Sequence, residues 1–280
     1  MNTLLIVDGS NLLFQMFYGM PAKIIGKDGR LIHGTLGFVG ALRKILQLVS
    51  PTHAIVLFDG ECENSRTALD ENYKANRPDY NELPEEELPF SQLPDIYAAL
   101  DFMGIAHRET TCCETDDWIA AYALTYKDTD KIIICSYDSD FFQLVCNNVT
   151  VLRYRSKEST FWDVPYLTQK LGIAPHQYAA YKSLTGDTAD NIPGVPKVGP
   201  KTAAALLNQF SCLETLLANT DQISKLSIRA AVEASKARIL TNYQLIRLTN
   251  SHSLPIPLEE LTYTPKSFTT GEILSGIGLK

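Results

Sequence analysis

The chain has 280 residues, of which 45% are hydrophobic and 20% charged, as in globular proteins that bury a sizeable core in one large domain or two apposed ones. Its formal net charge of −7 argues against a generic nucleic-acid binder, which is usually basic, unless many acids are clustered as metal ligands. The six cysteines show no Cys-x-x-Cys pair or zinc-ligand spacing, and no signal-like or membrane-spanning run is present, so we expect a cytoplasmic protein with reduced thiols and no membrane contact.

Three apolar segments predict buried strands, and acidic residues follow each of them. The segments are residues 3–7, 54–58 and 131–136, and the acids that follow them are Asp8, Asp59, Asp138 and Asp140. A helical pattern at 35–49 separates the first two strands, and residues 149–154 predict an edge strand. Parallel strands joined by helices present their carboxyl ends at one edge of a sheet, so we expect the four acids to lie together.

A second group of acids lies at the start of a predicted amphipathic helix. Glu114, Asp116 and Asp117 open this helix directly before the strand at 131–136. Bringing so many carboxylates together is unfavourable unless cations lie among them, because each negative charge disfavours ionisation of the next. Oxygen ligands without a histidine or cysteine motif favour Mg²⁺ or Mn²⁺ over zinc.

The segment at about 73–100 is rich in proline and charge, and it is longer than a compact connection needs. It can be a solvated insertion, or it can be a lid or arch over the acidic edge. Tyr73, Lys74 and Arg77 lie at its base and offer an aromatic ring for stacking on a base and two cations for phosphate.

The sequence pattern becomes mainly helical after residue 163. Residues 163–184 have a helical pattern, and a glycine- and proline-rich turn follows in which Asp187 and Asp190 are spaced i, i+3. Such a turn before a helix N-terminus offers backbone N–H groups to a phosphate, although an ordinary helix-turn-helix corner has the same composition. Further helices are predicted near 213–217 and 237–248, before a tail rich in proline and threonine.

Six motifs, in this order, resemble the 5′ nuclease family, which includes the 5′–3′ exonuclease domain of bacterial DNA polymerase I and the flap endonucleases. They are L-L-I-V-D-G-S-N-L (4–12), S-P-T-H-A-I-V-L-F-D-G (50–60), Y-K-A-N-R-P (73–78), E-T-D-D (114–117), S-Y-D-S-D-F-F-Q-L-V (136–145) and G-D-T-A-D-N-I-P-G-V-P-K-V-G-P-K-T-A (186–203). The resemblance covers roughly residues 4–262 and lacks the family's polymerase domain. It implies a free-standing nuclease.

The resemblance implies a fold and a division into domains. The fold is α/β, with a central, mostly parallel twisted sheet, helices on both faces and a C-terminal helical region. The nuclease core is expected over 1–165, with the arch at about 73–100. A helical DNA-binding region is expected over 166–262, with a helix-three-turn-helix at 184–210, and residues 263–280 form a tail.

The same resemblance implies the roles of individual residues. Two ions, Mg²⁺ or Mn²⁺, are expected among nine acids, the first ion nearer Asp8, Asp59, Glu114 and Asp116, the second nearer Asp138, Asp140, Asp187 and Asp190, with Asp117 adjoining. Lys74 and Arg77 are expected to contact the scissile phosphate, and Tyr73 to stack on a terminal base. The other DNA-binding residues are Gly194, Lys197, Gly199, Lys201 and Thr202. Backbone carbonyls are expected to hold K⁺ at Leu184, Thr185, Pro193, Val195 and Val198.

The expected function is cleavage of DNA with 5′ flaps, nicks or free 5′ ends by a monomer, in a two-metal mechanism that gives a 5′-phosphate and a 3′-hydroxyl. Two departures from the family pattern, Ser139 and Gln15 in place of basic residues, bear on phosphate affinity or rate. Three alternatives remain open: a weakly active or non-catalytic binder of flapped or nicked DNA, a single-strand RNA nuclease, and a phosphatase that uses Asp138 and Asp140.

Overall fold

A computed structural model of the chain describes residues 1–27, 29–60, 65–77, 84, 88–111 and 113–280. Within this part, six strands form one sheet in the order β3-β2-β1-β4-β5-β6. The strands are β1 (Thr3–Asp8), β2 (His53–Phe58), β3 (Ala106–Glu109), β4 (Lys131–Cys135), β5 (Val149–Arg153) and β6 (Thr160–Trp162). All neighbouring pairs are parallel except β5 and β6. The expected mixed, mostly parallel sheet is confirmed.

Helices pack on both faces of this sheet. The first half of the chain contains α1 (Gly9–Gly19), α2 (His33–Val49), α3 (Leu93–Met103) and α4 (Thr115–Tyr126). Along β1, Leu4 and Ile6 join the core that contains Ile119 of α4, whereas Leu5 and Val7 join the core that contains Phe38 of α2. A strand that alternates between two apolar layers must be hydrophobic throughout, which explains the uninterrupted apolar run.

The described chain after β6 is helical. Its helices are α5 (Val164–Leu171), α6 (Tyr178–Thr185), α7 (Pro200–Phe210), α8 (Leu213–Ala218), α9 (Leu226–Ala234), α10 (Lys236–Ile246) and α11 (Thr270–Gly276). Leu184, Leu207 and Ile239 belong to the same core as Ile119, so α6, α7 and α10 pack on the α4 side of the sheet. No helix in the described ranges is both long and apolar enough to cross a lipid bilayer.

Several sequence predictions need correction. Residues 149–154 are not an edge strand, because β6 pairs with β5 and itself forms the edge. The sequence missed β3 and β6, which have only four and three residues and a half-exposed, partly polar pattern. The helical pattern over 163–184 is interrupted, because α5 ends at Gly172 in the left-handed region (φ 70°) and a proline begins the next turn.

The C-terminal segment packs against helices of the first half of the chain. Within residues 263–280, α11 begins at a capping box formed by Thr269 and Glu272, and its Ile273 is buried in the core beside α2 and α3. The predicted arch is only partly described: residues 65–77 form turns and residues 89–92 a 3₁₀ turn that leads into α3. Residues 78–83 and 85–87 lie outside the described part.

Candidate metal centre

The first acid, Asp8, ends β1 and caps α1. Its Oδ1 accepts from the backbone N of Asn11 at 3.0 Å, and its Oδ2 accepts from Ser136 Oγ at 2.8 Å. The side chain is buried, and this burial, together with the charge of Asp59, raises the pKa of Asp8 to about 7. The nearby charge of Asp59 favours a cation at this position, because a positive charge offsets the repulsion between the two acids.

Asp8 opens into a cavity of about 550 Å³ that four other predicted ligands also line. These ligands are Asp59, Glu114, Asp116 and Asp138. Lys74 and Arg77 line the same cavity, as expected for groups that would face a phosphate. The carboxyl ends of β1, β2 and β4 therefore meet the N-terminus of α4 where the sequence pattern indicated.

The loop after β4 joins this cavity to a second acidic group. Asp138 Oδ1 accepts from the backbone N of Asp140 at 2.8 Å, which fixes the carboxylate of Asp138 against the backbone of Asp140. In the second group, one carboxylate oxygen from each of Asp140, Asp187 and Asp190 lies within 4.8 Å of the others. Asp138 lines the cavity together with the first group of acids and bonds the backbone of Asp140, which belongs to the second group. Asp138 therefore links the two groups.

The donor set fits hard divalent cations. Burial raises the pKa of Asp116, Asp138 and Asp140, with nearby carboxylates adding to the effect at Asp116 and Asp140. Asp140 Oδ1 is buried and has no hydrogen-bond partner among the described residues. Buried carboxylate oxygens that lack enough donors are ligands suited to Mg²⁺ or Mn²⁺. Eight of the nine predicted acids fall into these two groups.

In the described part of the chain, four cations lie among the acids. Lys74 bonds Glu114, and Arg77 Nη2 lies 3.2 Å from Asp190 Oδ1. Two further cations, Arg66 and Lys182, were not predicted. Arg66 Nη1 bonds Glu114, its Nη2 lies 2.7 Å from Asp117 Oδ1, and its Nε donates to the carbonyl of Leu245 at 3.0 Å. Although burial opposes ionisation of Glu114, the charges of Lys74 and Arg66 keep its pKa below the ordinary value.

Lys182 occupies the second acidic group. Its Nζ bonds Asp187 and lies 4.0 Å from Asp140 Oδ1, and its side chain is only 13% exposed. We expect Lys182→Met to tighten Mn²⁺ binding by about tenfold, because an ammonium close to two carboxylates competes with the ion for their charge. Isothermal titration with Mn²⁺ measures this. Lys170→Met removes an exposed positive charge from α5 and is the matched control. Weaker Mn²⁺ binding by Lys182→Met would contradict the role of Lys182 as a competing counterion.

Metal removal should make stability depend on pH. The pKa of Asp8 rises from an ordinary 3.8 to about 7 on folding, so the folded chain retains the proton to a higher pH than the unfolded chain. In EDTA, the free energy of unfolding should therefore fall as pH rises from about 4 to 7, by up to about 1.4 kcal/mol per pH unit for each such carboxyl. Urea denaturation measures this slope.

Two controls accompany the denaturation series. Excess Mg²⁺ should remove the decline, because the ion binds the ionised carboxylates of the folded state. Asp8→Asn should reduce the slope in EDTA while retaining a side chain that can cap α1. Stability that stays flat or rises with pH in EDTA would show that these carboxyls do not retain their protons on folding.

Asp117 lies apart from the two acidic groups. Both of its oxygens accept from Arg66, at 2.7 and 3.2 Å. Asp117 forms another group of potential metal ligands with Cys113 and His252, and one ligand atom from each of the three residues lies within 4.8 Å of the others. The sequence gave no indication of this group, because His252 lies far along the chain from the other two.

Tyr73 is buried in this conformation. Its ring packs with Ala179, Ile192 and Leu245, and its hydroxyl donates to Glu114 Oε2 at 3.4 Å. The adjacent Lys74 adopts φ 58° and donates its backbone N to the carbonyl of Asp190 at 3.0 Å. The predicted stacking of Tyr73 on a base therefore requires this segment to move.

The predicted helix-three-turn-helix lies between α6 and α7. Gly194, Lys197, Gly199 and Lys201 are exposed along the turn, and Thr202 is half-buried in the first turn of α7. Of the carbonyls predicted for K⁺, those of Leu184, Pro193 and Val195 already accept hydrogen bonds. Thr185 O directly faces Gly194, and Val198 is buried with Val195. K⁺ binding stays a prediction.

The two departures from the family pattern have local partners. Gln15 Nε2 donates to the carbonyl of Tyr154 at 2.9 Å, at the end of β5. Ser139 lies between Asp138 and Asp140, and its carbonyl accepts from the backbone N of Phe142 at 2.9 Å. Gln15 therefore connects α1 to the end of β5, whereas Ser139 begins the turn that carries Asp140.

Comparison with known proteins agrees with this arrangement. Residues 3–172 match the family model described as 5′-3′ exonuclease, N-terminal resolvase-like domain, and residues 173–269 match 5′-3′ exonuclease, C-terminal SAM fold. The 5′-3′ exonuclease of Buchnera aphidicola is 30% identical over 93% of this chain and 91% of its own length. DNA polymerase I of Rhizobium leguminosarum is 34% identical over 94% of this chain, which spans only 26% of that polymerase.

Solved structures share the fold. The flap endonuclease of bacteriophage T5, in a complex with DNA and metal ions, has a TM-score of 0.71 with 22% identity and covers 87% of this chain and 88% of its own. An identity this low supports the fold alone. The family models and the Buchnera relative together show that the chain belongs to the 5′-3′ exonuclease family.

Proposed function

We propose that the chain is a divalent-metal-dependent 5′ nuclease that hydrolyses DNA phosphodiesters at 5′ flaps, nicks or free 5′ ends. The observation that carries the proposal is a cavity lined by the first carboxylate group together with Lys74 and Arg77, and its link through Asp138 to the second carboxylate group. The T5 complex with DNA and metal ions shares this fold.

Two sets of acids would bind the two ions. Asp8, Asp59, Glu114 and Asp116 would hold one, and Asp140, Asp187 and Asp190 the other, with Asp138 between them. When bound, Mg²⁺ or Mn²⁺ supplies activation of a water and neutralises charge on the phosphate. The 5′-phosphate and 3′-hydroxyl products follow from attack on the phosphorus with departure of the 3′ oxygen.

The cations of the chain act on the phosphate. Lys74 and Arg77 are now bonded to Glu114 and Asp190, the same carboxylates that divalent ions would take. Metal binding would therefore release the ammonium and the guanidinium to the scissile phosphate, where they stabilise the developing negative charge. Arg77 has the more exposed side chain, 58% against 14% for Lys74, and is the first to meet a substrate.

Duplex recognition would use the turn before α7. Lys197 and Lys201 project from the surface beside the N-terminus of α7, which favours contact with a phosphate of the duplex. K⁺ bound by the carbonyls of this turn would add to the contact. Because phosphate contacts carry no base information, binding should be nearly independent of sequence and sensitive to salt.

The test is a panel of end-labelled substrates. A 5′-flap DNA, a nicked duplex DNA, a single-stranded DNA and a single-stranded RNA are incubated with the chain in Mg²⁺, in Mn²⁺ and in EDTA. We expect cleavage at the flap junction in either metal and none in EDTA. DNA ligase should seal the cleaved flap product, which requires a 5′-phosphate beside a 3′-hydroxyl. Binding of the flap without cleavage in either metal would favour the non-catalytic binder, and preferential cleavage of single-stranded RNA would favour the RNA nuclease.

A further inference from the structure

Three residues of different chemical type meet at the edge of the acidic cavity, which Cys113 also lines, and apart from the two carboxylate groups. Cys113 precedes the N-terminus of α4, Asp117 lies in its first turn, and His252 lies in the loop after α10. One ligand atom of each lies within 4.8 Å of the other two. The Cys113 side chain is buried, and the other two are half-buried. This set is the Cys-Asp-His group.

The donors of the Cys-Asp-His group differ from those of the acidic groups. A thiolate sulfur, an imidazole nitrogen and a carboxylate oxygen suit Zn²⁺ and similar transition metals, whereas Mg²⁺ prefers oxygen alone. Metal–ligand bonds of about 2.0–2.3 Å require the three atoms to move together by about 1 Å or less. The half-exposed His252, carried by a loop, can make this movement.

The surroundings already orient one ligand. Arg66 donates to both oxygens of Asp117 and fixes the plane of its carboxylate. A carboxylate oxygen that accepts one hydrogen bond retains a lone pair for a metal, and ligating carboxylates are commonly oriented by such outer partners. Arg66 also bonds Glu114, so the group is connected to the acidic cavity through one side chain.

We propose that Cys113, Asp117 and His252 form a binding site for one Zn²⁺-class transition-metal ion, distinct from the Mg²⁺ or Mn²⁺ centre. The bound ion ties the loop after α10 to the N-terminus of α4. It thereby joins the helical region to the edge of the sheet that carries the acids. Three protein ligands leave one position of a tetrahedral ion open to water. Binding of a metal ion at this site does not require the proposed nuclease activity.

Co²⁺ is the probe, because a thiolate bound to Co²⁺ gives a near-ultraviolet charge-transfer absorption that carboxylates do not. The reduced 280-residue chain, saturated with Mg²⁺, is titrated with Co²⁺. We expect this absorption to reach its plateau at one Co²⁺ per chain and to disappear on addition of Zn²⁺. Cys113→Ser should abolish it, and His252→Ala should weaken the binding of Co²⁺ at least about tenfold.

The controls separate this site from other thiols. Cys212→Ser changes a half-exposed cysteine and should leave the absorption intact. Cys112, adjacent in sequence, lies outside the described residues, and Cys112→Ser should likewise have no effect. His252→Ala alters a half-exposed loop residue, so it tests the site even if Cys113→Ser fails to fold. No thiolate absorption in the wild-type chain, or an unchanged titration in His252→Ala, would overturn the proposal.

Discussion

Asp138→Ala should abolish cleavage of a 5′-flap DNA, lowering the single-turnover rate at least about 10³-fold in saturating Mg²⁺. Asp138 lines the cavity with the first group of acids and fixes Asp140 of the second through the 2.8 Å hydrogen bond to its backbone N. Its removal should therefore weaken the binding of metal ions by both groups of acids. Gel analysis of the end-labelled flap measures the rate.

Asp128→Ala is the matched control for Asp138→Ala. Asp128 is an exposed acid in the turn before β4, at the opposite end of the same strand. Its replacement removes one negative charge but should leave the rate unchanged within about twofold. Cleavage by Asp138→Ala at more than a tenth of the wild-type rate would contradict the placement of both ions around this residue.

Gly194→Ala should disrupt the turn before α7 and lower the affinity for nicked duplex DNA at least about tenfold. A Cβ at this position would lie 2.2 Å from the carbonyl O of Thr185 and 2.5 Å from its carbonyl carbon. Both are backbone atoms at the end of α6, so the turn itself must move. We expect a loss of about 2–4 kcal/mol in the free energy of unfolding.

Gly199→Ala provides the contrast within the same turn. A Cβ there meets no atom within 4 Å, and the residue has φ −92°, which alanine adopts without strain. As the N-cap of α7 it should lose no more than about 1 kcal/mol. Urea denaturation and fluorescence anisotropy with nicked duplex measure both variants. Equal losses of stability and DNA affinity in the two variants would show that the close approach of Gly194 to α6 does not stabilise the turn.

Strand ends were the most predictable part of the site. Asp8, Asp59 and Asp138 each follow an apolar run, and parallel strands must bring such residues to one edge. The second group was harder to predict, because the spacing of Asp187 and Asp190 does not say which acid they meet. The structure brings them to Asp140, through the packing of α6 against the loop after β4.

Contacts between distant segments escaped prediction. Arg66 bonds α4 and the carbonyl of Leu245, and Lys182 enters the acidic group from α6, yet neither belongs to a periodic pattern. The Cys-Asp-His group depends on a loop residue more than a hundred positions from its partners, as the numbering shows. Short polar strands such as β3 lack the apolar run that identifies a strand.

The direct test of two divalent ions in the acidic groups is a Mn²⁺ titration of the wild-type chain, in which electron paramagnetic resonance detects the free ion. The same titration of His252→Ala shows whether the Cys-Asp-His group contributes to the Mn²⁺ count. We expect two Mn²⁺ per chain in the wild type and at most one in Asp138→Ala. One Mn²⁺ or none in the wild type, or an unchanged stoichiometry in Asp138→Ala, would contradict the two-ion centre.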